Sequence, residues 1–180
     1  MSSYWFDSSI ECHISSSSSV GLSARLIYAD NFIMKELTVK RKGILTEEEL
    51  KLWFLQQGYS VSVPIGDDDR YDFIVDFDGK LVKMQSKTSN LTRTINCLNF
   101  ACASIKYNST GSHRTQYTKK DIDYFCTINP ENHQVYIVPV DICGNECNLR
   151  LTPPKSNNYK GVKMAKDYEG EKMIERILNS

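Results

Sequence analysis

The 180-residue chain lacks the features that mark several large protein classes. It has no apolar run long enough to cross a membrane, and no apolar core of a secretory signal peptide. Its 22 basic and 22 acidic residues cancel, so any surface that attracts nucleic acid must be local. These absences favour an intracellular protein, located in the cytoplasm, the nucleoid or an organelle.

Histidine and cysteine are too scattered to form a recognisable catalytic or metal-binding motif. The three histidines are isolated, and no pattern of serine, cysteine or histidine predicts a nucleophile. The six cysteines are irregularly spaced, which predicts reduced thiols. Cys143 and Cys147 resemble half of a zinc knuckle with His133 upstream, but a second close pair is missing. A zinc-stabilised domain is therefore a minor alternative.

The first 33 residues differ in composition from the rest of the chain. They contain five consecutive serines, Ser15 to Ser19, and no hydrophobic period, which predicts a flexible extension. From Leu37 onward the pattern is that of a folded domain, and 41% hydrophobic residues in the whole chain suffice for one sizeable core. The sequence therefore predicts a single domain over residues 34–180.

A β-hairpin is predicted in the segment YDFIVDFDGKLVKMQSKT, which runs from Tyr71 to Thr88. Its turn falls at Asp78-Gly79, because Asp-Gly between alternating apolar runs is typical of a two-residue type I′ turn. Both turn residues of that type need positive φ, which glycine adopts without strain. The turn pairs Phe77 with Lys80 and thereby fixes the register of the hairpin.

In this register one face of the hairpin carries a carboxylate, an amide and an ammonium group. Asp72 falls opposite Gln85, with Cβ atoms about 4.5–5.5 Å apart, and Lys87 follows two residues later on the same face. Mg²⁺, or Mn²⁺ in its place, binds one or two carboxylates together with waters and phosphate oxygens. Asp72 and Gln85 are therefore predicted metal ligands, and Lys87 is predicted to orient or deprotonate an attacking water. The competing interpretation is an ordinary solvated hairpin face.

The residues before the hairpin supply a further acid. A helix is predicted from Thr46 to Gly58, with Thr46 and Glu49 forming a capping box. Glu47 lies on the face expected to meet the sheet, and Glu48 is the second choice for an acid near the site. The alternative is that these acids only favour the first helical turn electrostatically.

The remaining elements complete an α/β pattern. Leu91 to Asn108 fits either a short strand or a helix. Ile122 to Ile128 and Val135 to Val140 are predicted strands on either side of a turn, and Lys163 to Leu178 is a predicted closing helix. The sequence therefore predicts an α/β fold with a mixed central β-sheet flanked by helices.

Two segments resemble the PD-(D/E)XK nuclease superfamily: GILTEEELKLWFLQQGYSVSVPIGDDDRYDFIVDFDGKLVKMQSKT and YTKKDIDYFCTINPENHQVYIVPV. More narrowly, they resemble its small endonucleases linked to group I introns, over about residues 34–168. The resemblance implies a restriction-endonuclease-like core in which Asp72 and Gln85 fill the two acidic slots and Lys87 the lysine slot. Nucleases of this kind usually bring another acid from the first helix, so the resemblance also implies that Glu47 binds the metal through a water, with Glu48 as second choice. Tyr71 stands where the motif has proline, and an amide replaces the second acid.

The same resemblance implies Mg²⁺-dependent double-strand cleavage of DNA by a homing-type endonuclease. A long recognition site exceeds what one small protomer covers, so a homo-oligomer is predicted. Five basic side chains near the site in sequence are predicted to contact DNA phosphates. They are Lys83, Arg93, Arg114, Lys119 and Lys120.

Other functions remain open at this point. A DNA-binding protein could keep the nuclease fold and have lost efficient cleavage through Gln85. A Holliday-junction or repair nuclease would differ only in the shape of its DNA substrate. Outside nucleic-acid chemistry, the alternative is a small α/β interaction domain.

Overall fold

Two α-helices and eleven β-strands form the regular structure in the described part of the chain. The computed structural model describes residues 37–66, 68–108, 111–154, 156 and 158–180, so the predicted extension at residues 1–33 lies outside the described residues. The helices are α1 Val39–Gln56 and α2 Gly170–Leu178. The strands are β1 Ser60–Ser62, β2 Phe73–Phe77, β3 Lys80–Ser86, β4 Asn90–Thr92, β5 Cys97–Ala101, β6 Ala103–Asn108, β7 Gly111–Gln116, β8 Tyr124–Ile128, β9 Val135–Pro139, β10 Glu146–Arg150 and β11 Lys163–Met164.

The central sheet is mixed, as predicted. Its five strands lie in the order β1-β2-β3-β8-β9. β3 and β8 run parallel to each other, while the other neighbours are antiparallel. The parallel pair places the carboxyl end of β3, where the candidate site lies, beside the first three residues of β8, Tyr124 to Cys126.

A second, four-stranded sheet and a separate two-stranded ribbon fill the region that the sequence left open between strand and helix. The sheet has the order β11-β10-β5-β4, and the ribbon consists of β6 and β7. β5 pairs with β10, which lies about fifty residues further along the chain. All described side chains of β7 are exposed, so the ribbon projects from the protein body.

α1 begins earlier than predicted. Thr38 is its N-cap, and the Thr38 Oγ1 accepts a hydrogen bond from the backbone N–H of Arg41 at 3.3 Å. The helix therefore starts at Val39, and the capping box predicted at Thr46 is wrong. Inside the helix, the Thr46 hydroxyl donates instead to the carbonyl of Lys42 at 2.9 Å. Because the helix already begins at Val39, the backbone N–H groups after Thr46 bond to carbonyls of the preceding turn and do not need a capping side chain.

The closing helix begins later than predicted. Lys163 and Met164 form a short strand beside β10, and Ala165–Asp167 is a 3₁₀ turn. α2 then begins at Gly170, whose Cα packs against the ring of Trp53 in α1. The pairing with β10 takes the first residues of the predicted helix into the second sheet.

Each face of the central sheet covers a hydrophobic core. α1 and α2 cover one face, where Phe54, Ile174 and Val75 of β2 belong to one buried cluster. The second sheet covers the other face, where Phe125 of β8 packs against Phe100 of β5 with ring centres 6.2 Å apart. The central sheet is therefore the middle layer of the fold. Lys87 directly follows β3, the third of its five strands. Among the described residues, no helix has both the length and the apolar composition needed to cross a bilayer.

Candidate active site

The hairpin of β2 and β3 has the predicted turn and register. Phe77 pairs with Lys80, and the pairing continues residue by residue to Phe73 opposite Met84. Asp78 and Gly79 have φ values of 54° and 95°, as a type I′ turn requires. The register prediction is confirmed, and it brings the polar residues before β2 next to the end of β3.

Asp72 contacts Gln85 directly. The Asp72 Oδ2 accepts hydrogen bonds from Gln85 Nε2 at 2.6 Å, from the Ser86 backbone N–H at 2.7 Å and from the Ser86 hydroxyl at 2.7 Å. All three donors converge on Oδ2, and no hydrogen bond between described residues involves Oδ1. The contacts hold the carboxylate in one orientation and leave its second oxygen as the available ligand atom.

Gln85 supplies the second candidate oxygen. Its residue surface is 6% exposed, so the amide lies almost out of solvent beside the carboxylate. The amide nitrogen and oxygen are nearly equal in shape, and a half-turn of the group brings Oε1 to the side that Nε2 occupies. One carboxylate and one amide oxygen form a hard, oxygen-only donor set, which fits Mg²⁺ or Mn²⁺ with water and phosphate as the other ligands.

Lys87 follows β3 directly, and its backbone is fixed from both sides. Its N–H donates to the carbonyl of Cys126 at 2.8 Å, and the Thr127 hydroxyl donates to its carbonyl at 2.7 Å. The ammonium nitrogen lies 5.2 Å from the centre of the Tyr117 ring. Burial lowers the pKa of Lys87, although the nearby Asp72 carboxylate acts in the opposite direction. The amine is thus easier to deprotonate than an ordinary lysine.

Glu47 lies in the middle of α1, where it pairs with Lys51. The Glu47 Oε1 is 3.2 Å from the Lys51 ammonium, which also contacts Glu48 at 2.7 Å. The preceding Thr46 hydroxyl lies 3.4 Å from that of Thr88, the residue after Lys87, so α1 does approach the site. The hydrogen bonds and ion pairs of the described residues include none between Glu47 and the three hairpin residues.

Three of the five predicted DNA-contacting side chains have partners on the protein, and two of these three are Lys83 and Arg93. The Lys83 ammonium lies 5.4 Å from the centre of the Tyr71 ring, on the hairpin itself. Arg93 has a side chain that is 86% exposed and forms an ion pair with Glu131 at 3.1 Å. Lys83 is therefore close to the site residues, whereas Arg93 lies in the turn between β4 and β5.

The other three predicted contacts lie on the ribbon and on the segment that follows it. Arg114 is exposed on β7. Lys119 forms an ion pair with Asp141 at 2.8 Å, and Lys120 is exposed beside it. Lys119 and Lys120 follow Tyr117 in the sequence, and Arg114 lies on the strand before it.

The zinc alternative has no ligand set among the described residues. His133 lies against α1, with its Nδ1 2.6 Å from Glu49 Oε1. Cys143 and Cys147 instead pack in the second core. Within the described ranges, no three or more histidine, cysteine or acidic side chains are placed to hold a metal, and the five described cysteines are free thiols.

Arg70 and Ser86 are site neighbours that the sequence analysis did not select. Arg70 lies two residues before Asp72, and Ser86 lies between Gln85 and Lys87. Ser86 was missed because strict strand alternation assigns it to the opposite face, yet its backbone N–H and hydroxyl both reach Asp72. Their positions inside the motif are the signal that could have identified them.

The mixed sheet thus carries a carboxylate, an amide and a lysine at the ends of two adjacent strands. The family model "PD-(D/E)XK endonuclease" matches residues 37–171, and the chain belongs to this family. The chain is therefore a nuclease by family.

One solved structure with the same fold is that of a bacterial homing endonuclease, I-Ssp6803I. It is 24% identical to this chain, with a TM-score of 0.67, and the match covers 79% of this chain and 95% of that one. This similarity confirms the α/β fold. No curated protein matches the chain.

Proposed function

We propose that the chain is a Mg²⁺-dependent endodeoxyribonuclease that makes double-strand breaks in DNA, of the homing type. The observation that carries the proposal is the 2.6 Å contact between Asp72, just before β2, and Gln85 on β3, with the half-buried Lys87 two residues further along the chain. Membership of the endonuclease family supports the reaction class. The homing endonuclease that shares the fold supports the biological role.

Asp72 and Gln85 would hold the metal, through Oδ1 and Oε1 respectively. A bound Mg²⁺ supplies Lewis acidity to a phosphoryl oxygen and lowers the pKa of a bound water. The protein contributes a carboxylate whose other oxygen is already fixed by Gln85 and Ser86. The two Ser86 contacts would keep this orientation of the carboxylate when the Gln85 amide turns its oxygen towards the metal.

Lys87 acts on the water that attacks phosphorus. Its lowered pKa allows the amine nitrogen to take a proton from that water as the new oxygen–phosphorus bond forms and the bond to the sugar oxygen breaks. In its protonated form the same group offsets the negative charge that grows on the phosphoryl oxygens. Glu47 is retained in the proposal as a water-bridged acid on the neighbouring helix.

DNA binding relies on local basic side chains, since the net charge of the chain is zero. The proposed contacts are those of Lys83, Arg93, Arg114, Lys119 and Lys120. Each phosphate contact that is lost should reduce the slope of log affinity against log salt by about 0.9. Arg114 is the most informative of the five, because the ribbon carries it away from the protein body.

Self-association is part of the proposal, because one active site of this kind cuts one strand and a double-strand break needs two. α1 supports it with an apolar outward face. Leu45, Leu52 and Leu55 are exposed on the side opposite to the buried Leu50 and Phe54. Exposed apolar patches mark contact surfaces in soluble proteins, and a second copy of the chain is the proposed occupant.

The intracellular location also stays a prediction.

The test is a cleavage assay on linear duplex, supercoiled and four-way-junction DNA. Cleavage is expected with Mg²⁺ or Mn²⁺ and should stop with a chelator. Asp72→Ala and Lys87→Ala should abolish cleavage while DNA binding persists. The control variants are Asp167→Ala and Lys172→Ala, which remove an acid and a lysine that pair with each other near α2. Retained cleavage in both site variants would contradict the proposal, and a strict preference for the junction would replace the homing role with a junction-resolving one.

The second candidate is a DNA-binding protein of nuclease fold that no longer cleaves efficiently. The amide of Gln85 favours it, since a neutral oxygen binds Mg²⁺ more weakly than a carboxylate does. Under this alternative the natural chain binds DNA without cutting it, and Gln85→Glu restores cleavage. Under the main proposal the natural chain already cuts.

A further inference from the structure

Two cationic side chains share the ring of Tyr117 next to the site. The Arg70 guanidinium carbon lies 4.5 Å from the ring centre, and the Lys87 ammonium nitrogen lies 5.2 Å from it. Both distances are within the range of attractive cation–π contacts, about 6 Å. Arg70 lies in the loop before β2, Tyr117 directly follows β7, and Lys87 directly follows β3, so three separate segments meet here.

The ring is fixed in place by the core. Tyr117 packs edge-on against Phe125, with ring centres 5.4 Å apart and planes at 85°. Phe125 is fully buried and is the register partner of Gln85 on the adjacent strand. The Tyr117 ring is therefore attached, through Phe125, to the pair of strands β3 and β8, which carries the proposed metal ligand Gln85.

Two contacts hold the Arg70 guanidinium beside the ring, and some of its N–H donors are not used in them. One guanidinium nitrogen, Nη2, donates to the carbonyl of Gln116 at 3.0 Å, and Nε lies 3.4 Å from Asp121 Oδ1. Asp121 is itself fixed, because its other oxygen accepts from the backbone and hydroxyl of Thr118, both at 2.9 Å. A guanidinium has five N–H donors. With 34% of the side chain exposed, donors remain available to a ligand from solvent.

The Arg70 and Lys87 charges both lie against this one ring, and like charges repel each other. An arrangement of this kind gains most when an anion lies between or beside the cations. The anion that reaches this position in a nuclease is a backbone phosphate. Its two non-bridging oxygens can accept two N–H bonds from one guanidinium group.

We infer that Arg70 binds a phosphodiester oxygen of the DNA backbone beside Lys87, and that Tyr117 is the positioning residue that keeps the two cations side by side. This inference rests on the proposed endonuclease function. The ligand class is a phosphodiester, and the contact is an Arg–phosphate pair at or next to the bond that is cut. Arg70 touches the substrate, whereas Tyr117 acts through the two cations.

The first experiment measures DNA binding by fluorescence anisotropy in Ca²⁺ across a salt series, so it does not depend on cleavage. Arg70→Ala should reduce the salt slope by about 1, the effect of one lost phosphate contact, while Arg70→Lys should retain most of it. Arg176→Ala is the matched control, because Arg176 also donates to one backbone carbonyl, that of Asp167, at 3.0 Å. An unchanged slope in Arg70→Ala would overturn the inference.

The second experiment separates positioning from folding. Tyr117→Phe keeps the aromatic face and should cleave within about twofold of the natural chain, whereas Tyr117→Leu keeps the bulk but loses cation–π attraction. Tyr117→Leu and Arg70→Ala should each slow cleavage by about 100-fold, the loss typical of one charge-stabilising donor. Thermal unfolding of each variant shows whether a lost fold accounts for the loss.

The outcomes distinguish the two proposals. If the natural chain does not cut DNA, the proposed function fails, yet the salt-slope measurement still tests the phosphate contact. If it cuts and Tyr117→Leu keeps full activity, the positioning role of the ring is wrong. If Tyr117→Phe is as inactive as Tyr117→Leu, the hydroxyl and not the aromatic face is responsible, which also contradicts the inference.

Discussion

Replacing Gln85 by glutamate tests whether this side chain truly shares a metal site with Asp72. In the natural chain the Gln85 amide donates a 2.6 Å hydrogen bond to the carboxylate. Gln85→Glu changes that donor into a second acceptor and places two carboxylates side by side, with one of them nearly buried. We expect the metal-free variant to be less stable than the natural chain at alkaline pH, and bound Mg²⁺ to reverse most of the loss.

The size of the effect follows from three quantities. A hydrogen bond to a charged acceptor contributes about 1.5–3 kcal/mol, and this bond is lost. Two carboxylates about 4 Å apart repel by about 4 kcal/mol at an effective dielectric constant near 20. Sharing one proton avoids the repulsion but costs about 1.4 kcal/mol for each pH unit above the ordinary glutamate value of about 4.3. The loss of unfolding free energy is therefore limited to about 5 kcal/mol at about pH 8, and to about 1 kcal/mol at about pH 5.

The direction with pH follows from proton linkage. The new carboxyl group has a raised pKa in the folded variant and an ordinary pKa in the unfolded chain. The folded state therefore holds more protons. Stability is lost as pH rises from the pKa of this group in the unfolded chain towards its pKa in the folded variant. At pH values below the pKa in the unfolded chain, this loss of unfolding free energy is absent.

Urea unfolding at about pH 5 and pH 8, with chelator or with Mg²⁺, is the assay. A metal at about 100 times its dissociation constant adds about 2.7 kcal/mol to the folded state, and the variant should gain more than the natural chain. Gln56→Glu, at the exposed end of α1, is the matched control and should respond to neither pH nor metal. A Gln85→Glu variant with equal stability at both pH values, and no gain from Mg²⁺, would refute the reasoning.

Three further predictions concern α1 and its contacts. Glu47→Gln and Glu48→Gln each remove an ion pair to the same lysine, so both should cost less than about 1 kcal/mol in thermal unfolding, but only Glu47→Gln should slow Mg²⁺-dependent cleavage. A Cβ on Gly170 would lie 2.5 Å from the Trp53 ring, so Gly170→Ala should destabilise by about 1–3 kcal/mol, and Trp53→Phe in the same chain should relieve most of it in a double-mutant cycle. Leu52→Glu should convert an oligomer to a monomer in light scattering, with no loss of helix content by circular dichroism; an unchanged mass would exclude this face of α1.

The hairpin was predictable because all its determinants are local. Asp78 and Gly79 dictate the turn, and the turn fixes every pair from Phe77 back to Phe73. The contact between Asp72 and Gln85 follows from the same register. Local turn chemistry and strand alternation act over a few residues, which is the range that a single sequence reports well.

The parts that were wrong or left open depend on contacts between distant segments. The second sheet exists because β5 pairs with β10 across about fifty residues, and neither strand has a neighbouring turn that fixes its register. The start of α1 at Val39 depends on a choice between Thr38 and Thr46 as the cap, two residues with equivalent side chains. Such choices are made by packing and not by local pattern.

The environment of Lys87 was not predictable for the same reason. Arg70 and Tyr117 lie far apart in the chain, and they meet only because the ribbon of β6 and β7 returns the chain to the second core. The sequence predicts which residues carry the chemistry, and the tertiary structure shows which side chains surround Lys87. Burial of Lys87 and its altered pKa belong to that second group.

The most direct measurement of the central claim is anomalous diffraction from crystals grown with Mn²⁺. The account predicts a metal bound by Asp72 and Gln85, with the amide turned so that its oxygen faces the ion, and no such peak in crystals of Asp72→Asn. A metal bound elsewhere, or a Gln85 amide that still donates to Asp72 at saturating Mn²⁺, would contradict it.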